Sequence, residues 1–390
     1  MIGGLVAWGA TLGGLRAVVV QPEHCGDSSP ATLRASAQLA VDWLADNQRP
    51  DGTYLYRYDR DDDVDLGGYN IVRHAGVTMS LEQAAAAGLD GAAAAADRGL
   101  AWAREHLIDG PGWEALGEPT DPTVRVGATA LLVAALAERR ARTGDPSNDD
   151  LMRSLAAFLV VMVNERGQVP ADWDLATQAP ISGSFSPYFT GEVFWALGLL
   201  HRQLPVGGYD AVALRIAHYL ATARDVVEDY WPALPDHWAA YGFAELARWP
   251  GGHRFTPAEV QYIRRQAGIQ SLQIRYESQR VDGWYSHVTR GRPTLGAGMG
   301  VMGEALAQWA GLAEAAPELA DLRRPLDERA HCAAGVIAAR QVDVDDLGDD
   351  DTAAARRPTL GAWFQFGVTQ VDDQQHSLSA LLGTLALEDR

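Results

Sequence analysis

Twelve stretches of this chain carry apolar residues at helical spacing, and they alternate between two kinds. Six are apolar nearly all round, with small residues and Gly near their starts: 70–87, 126–137, 190–200, 236–247, 296–310 and 374–385. Six are more amphipathic and charged: 32–47, 92–106, 149–163, 210–224, 257–277 and 325–340. A helix with no polar face must be enclosed on every side, whereas an amphipathic helix covers a core and faces water. Strand-like alternation is scarce, so the chain reads as all-α. The pairs recur at irregular intervals of roughly fifty residues or more, in the range of toroids, solenoids and arrays. An inner ring of six apolar helices inside an outer ring of six, an (α/α)6 barrel, suits both kinds. An open solenoid would leave one side of the apolar helices exposed.

The connections are asymmetric. Turns from an apolar helix to the next amphipathic one are short and marked by Gly or Pro, at 88–91, 144–146, 205–208 and 249–252. The returning connections are mostly long, aromatic and polar, at 48–69, 108–125, 164–189, 278–295 and 341–373. Long structured loops gathered on one face of a rigid scaffold usually carry function. The mouth of the barrel is therefore expected at the N-terminal ends of the inner helices. Residues 31–390 need no internal domain boundary, and residues 1–30 form an N-terminal apolar segment. Within it, residues 1–20 hold a single Arg16 and no basic stretch before it, a poor signal peptide and slightly short for a spanning helix. A packed or frayed segment is expected there, with an anchor remnant and membrane contact as the alternative. Location stays open between cytoplasmic and envelope-associated.

Composition removes several functions. All 32 basic residues are Arg, which excludes a lysine Schiff base and a pyridoxal phosphate anchor. The formal net charge of -19 argues against a nucleic-acid partner and leaves a small-molecule or glycan substrate, with no cofactor expected. Cys25 and Cys332 have no metal-finger or redox-pair spacing. Two unrelated thiols are expected, with one disulfide as the alternative, and no metal site is predicted.

Every candidate for chemistry falls near the start of an inner helix or in a long loop. Asn70 reads as an N-cap, with Arg73 and His74 in the first turn after it. An Arg there opposes the helix dipole and needs an anionic partner, such as a substrate carboxylate or the loop residues Asp63 or Asp65. His74 is a candidate general acid or base, or a buried, satisfied His. Asp236, His237 and Trp238 offer a carboxylate, an imidazole and an aromatic platform, although Asp236 alone reads as a cap. Glu192 opens the third inner helix, and Asp372, Asp373 and His376 open the sixth, with Asp373 taken as the catalytic candidate. Tyr69 and Trp238, together with Trp284, Tyr285, His287 and Arg292 of the fifth loop, are the expected binding wall. The acidic run 59–65 partly matches a calcium loop, but Val64 stands where Gly is required and no Glu follows at the twelfth position. It reads as a solvated turn, as does 343–351.

Two segments, Gln48-Arg49-Pro50-Asp51-Gly52-Thr53-Tyr54 and Gln279-Arg280-Val281-Asp282-Gly283-Trp284, resemble the glutamine-tryptophan repeats of terpenoid cyclase and prenyltransferase toroids. Asp59-Arg60-Asp61-Asp62 resembles the acid motif of class II cyclases, as Asp343-Val344-Asp345-Asp346 also does. The glycine-rich start 296–303 is similar to that of lanthionine cyclases, but their zinc ligands are missing around Cys332. In architecture and residue type the chain resembles six-hairpin carbohydrate enzymes: glycoside hydrolases, polysaccharide lyases, and the acylglucosamine and glucuronyl epimerases. That resemblance implies a carbohydrate-active enzyme working at the barrel mouth. Two alternatives stand beside it, a terpenoid cyclase or isomerase with Asp61 or Asp62 in an apolar pocket, and a non-catalytic glycan-binding scaffold.

Overall fold

The computed structural model describes residues 2–19, 21–118, 120–281, 283–294, 296–347 and 357–388. Asp282 of the second glutamine-led segment and the 348–351 part of the acidic run lie outside them. All twelve expected helices form. In chain order after α1 (Ile2–Val19) come α2 (Pro30–Asp46), α3 (Ile71–Ala86), α4 (Ala92–Glu105), α5 (Val126–Thr143) and α6 (Asp149–Met162). Next are α7 (Phe189–Gln203), α8 (Tyr209–Thr222), the short α9 (Arg224–Val227), α10 (His237–Ala247) and α11 (Pro257–Glu277). The last are the short α12 (Trp284–Arg290), α13 (Ala297–Ala315), α14 (Arg323–Ala338) and α15 (Val371–Glu388).

The two kinds of helix segregate as their patterns require. In α5 every residue from Val126 to Ala137 is buried, and in α7 every residue from Thr190 to Leu200. By contrast α6 buries Met152, Leu155, Ala156, Phe158, Leu159 and Met162, a stripe at spacings of three and four. Helices α3, α5, α7, α10, α13 and α15 each pack on the next, and α15 packs back on α3, closing the inner ring. Helices α2, α4, α6, α8, α11 and α14 surround it. The fold is an (α/α)6 toroid.

Two glycines show how the outer ring is sealed. Gly52, after α2, has φ +91° and lies so near α4 that a Cβ would meet the Arg98 carbonyl at 2.5 Å. Gly361, after α14, has φ +83° and would meet the Leu39 carbonyl of α2 at 2.4 Å. The same contact therefore joins neighbouring helices and the last helix to the first. The seam is also covalent. Cys25 and Cys332 form a disulfide, which corrects the expectation of two unrelated thiols. Glu23 is paired with Arg329 at 2.9 Å, and the His24 N–H donates to the Ser278 carbonyl at 2.7 Å, so the strap before α2 runs along α14 and α11. Helix α1 is exposed where its side chains are described, and no helix among the described residues is long and apolar enough to cross a membrane.

Small strands organise the long loops at the mouth. β1 (Arg57–Asp59) pairs with β2 (Val64–Asp65), β3 (Leu107–Gly110) with β4 (Trp113–Leu116), and β5 (Thr123–Arg125) with β6 (Asp172–Asp174). β6 also carries β7 (Ala179–Pro180), while β8 (Val368–Gln370) adds to β1 and ties the last loop to the first. At the opposite end the buried carboxylates of Glu82 and Glu245 bind Arg142 at 2.7 Å and Arg202 at 3.2 Å respectively. Both charges are thus paired, as their burial requires.

Candidate functional site

The inner helices begin around a cavity of about 440 Å³ lined by residues of all six. Arg73 reaches it from the first turn of α3, which Asn70 caps by accepting from the N–H groups of Val72 (2.9 Å) and Arg73 (3.2 Å). The anionic partner that the helix dipole demands is Asp372, at 3.0 Å. Gln370 accepts a further hydrogen bond at 3.1 Å, and the Tyr56 hydroxyl accepts another. The loop acids expected as partners are engaged elsewhere: Asp65 binds Arg49 at 2.7 Å, and Asp63 accepts from the Tyr58 hydroxyl at 2.7 Å.

His237, Glu304 and His376 converge from α10, α13 and α15. His376 Nδ1 lies 2.7 Å from Glu304 Oε2, and the Tyr241 hydroxyl donates to Oε1 at 3.3 Å. Burial disfavours charge on His376, but the adjacent carboxylate outweighs it and lifts the imidazole above its ordinary range. Burial also raises Glu304, yet its two donors favour the carboxylate, so the shared proton belongs on His376. His237 behaves oppositely. Burial, then the charge of His376, pushes it well below the ordinary value, which leaves it neutral. Its Nε2 lies 3.9 Å from Glu304 Oε2, too far for a hydrogen bond. The site thus holds one neutral and one charged imidazole about a single carboxylate. The ligand atoms of these three residues lie within 4.8 Å of one another, so two imidazoles and a carboxylate could also hold a divalent metal, where no metal site was predicted.

Four side chains lining the cavity keep buried polar atoms without a hydrogen-bond partner: Glu192 Oε2, His237 Nε2, Asp372 Oδ1 and Gln375 Nε2. Such atoms are rare in folded proteins, and each costs about 1–3 kcal/mol when left unmatched. All four belong to residues that line the one cavity. Glu192 also holds its proton well above the ordinary carboxyl range, through burial first and the charge of Asp236 second.

Other expected residues stand elsewhere. His74 is turned toward α4, with Nε2 2.9 Å from the Gly99 carbonyl, Nδ1 2.6 Å from the Tyr69 hydroxyl, and its ring against Trp102. Burial depresses it to about 4, so it is a neutral wedge between helices and does not line the cavity. Tyr69 is its partner there, outside the cavity lining. Asp236 is fully buried, caps α10 through the Ala239 N–H at 2.9 Å, and is ion-paired with the buried Arg224. Asp373 accepts from the N–H groups of Ala297 (2.7 Å) and Gln370 (2.8 Å), a position that fixes two chain segments, while its neighbour Asp372 faces the cavity. Trp238 lines the cavity and stacks on Trp195. Trp284 and Tyr285 are exposed on α12, and His287 and Arg292 line a neighbouring groove. The acid-motif residues Asp61 and Asp62 sit on an exposed turn. Sequence reasoning missed Arg125 and Glu304. The signal for Glu304 was a carboxylate two turns inside an otherwise apolar, enclosed helix.

No family model matches the chain, and no curated protein matches it. Solved structures share the fold over nearly the whole length. A cellobiose 2-epimerase from Spirochaeta thermophila DSM 6192 is similar at a TM-score of 0.63, with 12% identity over 93% of this chain and 98% of that one. A D-mannose isomerase is similar at 0.60, with 14% identity over 92% and 98%. A type II terpene cyclase from Scytonema is similar at 0.55, with 11% identity over 92% and 99%. Identities this low speak for the fold alone. Sugar enzymes and a terpene cyclase share it, so the choice between chemistries rests on the site.

Proposed function

We propose that this protein is a carbohydrate-active enzyme that moves a proton at a carbon beside a carbonyl, as in sugar epimerisation or isomerisation. The observation that carries this reading is the pair of oppositely tuned imidazoles, His237 and His376, bordering a cavity among whose lining residues Glu192, Asp372 and Gln375 also keep an unmatched polar atom. In an open-chain sugar the carbonyl acidifies the neighbouring C–H. Neutral His237 takes that proton, and the electron pair moves onto the carbonyl oxygen, where Arg73 and charged His376 offset the developing charge. Proton return from His376 to the other face of the same carbon gives the epimer; return to the neighbouring carbon, with the hydroxyl proton of the first carbon passing to the former carbonyl oxygen, gives the isomer. Solved structures of the same fold that are named as sugar epimerases and an isomerase agree with this reading. The exposed position of Asp61 and Asp62 speaks against the isoprenoid alternative. The disulfide favours an oxidising compartment, hence the envelope-associated of the two locations.

One observation favours a second reading within the same class. Glu192, which retains its proton, and the Asp372 carboxylate line one cavity, and hydrolysis of a glycosidic bond needs one acid and one carboxylate. Proton NMR of mono- and oligosaccharides in heavy water separates the two. Exchange of a ring-carbon proton for deuterium, lost in His237→Asn and His376→Asn, supports proton transfer, whereas new reducing ends without exchange support hydrolysis. Neither signal, with ligand binding retained, would leave the scaffold reading.

A further inference from the structure

Beside the mouth lies a second and larger groove, of about 770 Å³, whose lining includes Arg60, Arg280, Arg292 and Arg340 but, among the described residues, a single carboxylate, Asp346. Four guanidinium groups in one groove stand out on a chain of net charge -19. Two of them are partly neutralised: Arg280 at 2.7 Å and Arg340 at 2.5 Å share the carboxylate of Glu277. Among the described residues Arg60 has only a loose acidic contact, of 3.9 Å to Asp61, and it lies over the Phe364 ring at 4.7 Å. Arg292 has no carboxylate partner among the described residues and lies over the exposed Phe366 ring at 5.5 Å. A guanidinium held on an aromatic face keeps its N–H edge available for an anion.

The groove and the mouth cavity are neighbours. Gly367, just before β8, lines the groove, and Gln370, the last residue of β8, binds Arg73 in the cavity. A strand of three residues spans about 10 Å. A chain of linked sugars with its end in the cavity would lay its next units along the arginines. The same end of the barrel carries exposed aromatic residues. The exposed side chains of Tyr188, Trp231, Tyr276, Trp284, Tyr285 and Phe366 all belong to the mouth loops or to the outer-helix end beside them, and flat aromatic faces stack on sugar rings.

Resting on the carbohydrate reading above, we propose that the substrate is an anionic oligosaccharide or polysaccharide whose carboxylate-bearing units occupy this arginine-lined groove. The test uses tetrasaccharides of galacturonate, mannuronate and guluronate, each beside its methyl-esterified form, titrated calorimetrically into the full chain. At least one acid should bind wild-type protein about tenfold more tightly than its ester, and the advantage should shrink between about 0.02 and 0.3 M salt. The double variant Arg60→Gln/Arg292→Gln, with thermal unfolding measured alongside, should lose the preference for the acid. Because the acid and ester comparison needs no variant, it stands even if the double variant unfolds. Equal binding of acids and esters, or no binding of any acid, overturns the proposal. Charge-dependent binding without proton exchange would sink the reaction and leave the groove, whereas exchange on neutral sugars without charge-dependent binding would do the reverse.

Discussion

Replacing Cys25 and Cys332 together by Ala should cost stability without changing the shape of the barrel. The disulfide joins residues 307 apart in sequence, and its main effect is to deny the unfolded chain the freedom of a very long loop. The loop-closure relation gives about 6 kcal/mol for that separation at 25 °C, an upper value because residual unfolded-state structure reduces it. A chain of this size has an unfolding entropy of about 0.8 kcal/mol per kelvin, so the variant should melt about 7 °C lower. Calorimetry of the oxidised protein, the reduced protein and the double variant measures this, and reduced and variant proteins should coincide. The seam contacts Glu23–Arg329 and His24–Ser278 remain in both, so circular dichroism below the transition should be unchanged. Two titratable thiols in unfolded, unreduced protein would show that the bond is absent. Equal melting temperatures with the bond intact would refute the loop-closure argument itself.

Three further outcomes follow from the site. Glu304→Gln removes the carboxylate that raises His376, so the imidazole should lose its proton at lower pH; the alkaline limb of the activity profile moves down, and kcat at pH 8 falls about 100-fold, while an unmoved limb would detach Glu304 from proton transfer. His237 is depressed by burial first, which the variant leaves in place, so the acid limb should move less than the alkaline one. Arg224→Met strands the buried Asp236 carboxylate and should cost about 3–5 kcal/mol in chemical denaturation; the Arg224→Met/Asp236→Asn double variant should recover most of it, and a double variant no more stable than the single one would contradict the pairing. His74→Ala should lower stability by opening a cavity between α3 and α4 yet leave proton exchange measurable, and complete loss of exchange in a folded variant would return His74 to the chemistry.

The fold was legible because enclosure leaves a compositional trace. A helix such as α7 can be apolar on every side only if every side is covered, and six such helices alternating with amphipathic ones leave few arrangements. Site positions were legible to within a turn and no better. Arg73 and His74 are adjacent in sequence but about 100° apart around the helix, so one faces the cavity and the other faces α4. Asp372 and Asp373 present the same ambiguity, settled by backbone N–H groups from 297 and 370 that only the folded chain brings to Asp373. Glu304 and the cysteine pair were hidden for a different reason. Their partners lie 72 and 307 residues away, and no local pattern encodes such a pairing.

Closure by the same glycine contact at Gly52 and Gly361 has an engineering consequence. If the junction between last and first helices is equivalent to the others, the ring has no privileged starting point. Circular permutants opened at the short turns near 145 or 251, with a linker joining the region after α15 to that before α2, should fold to the same toroid. Those turns lie on the face opposite the mouth, so the permuted chains should keep their ligand-binding loops uncut.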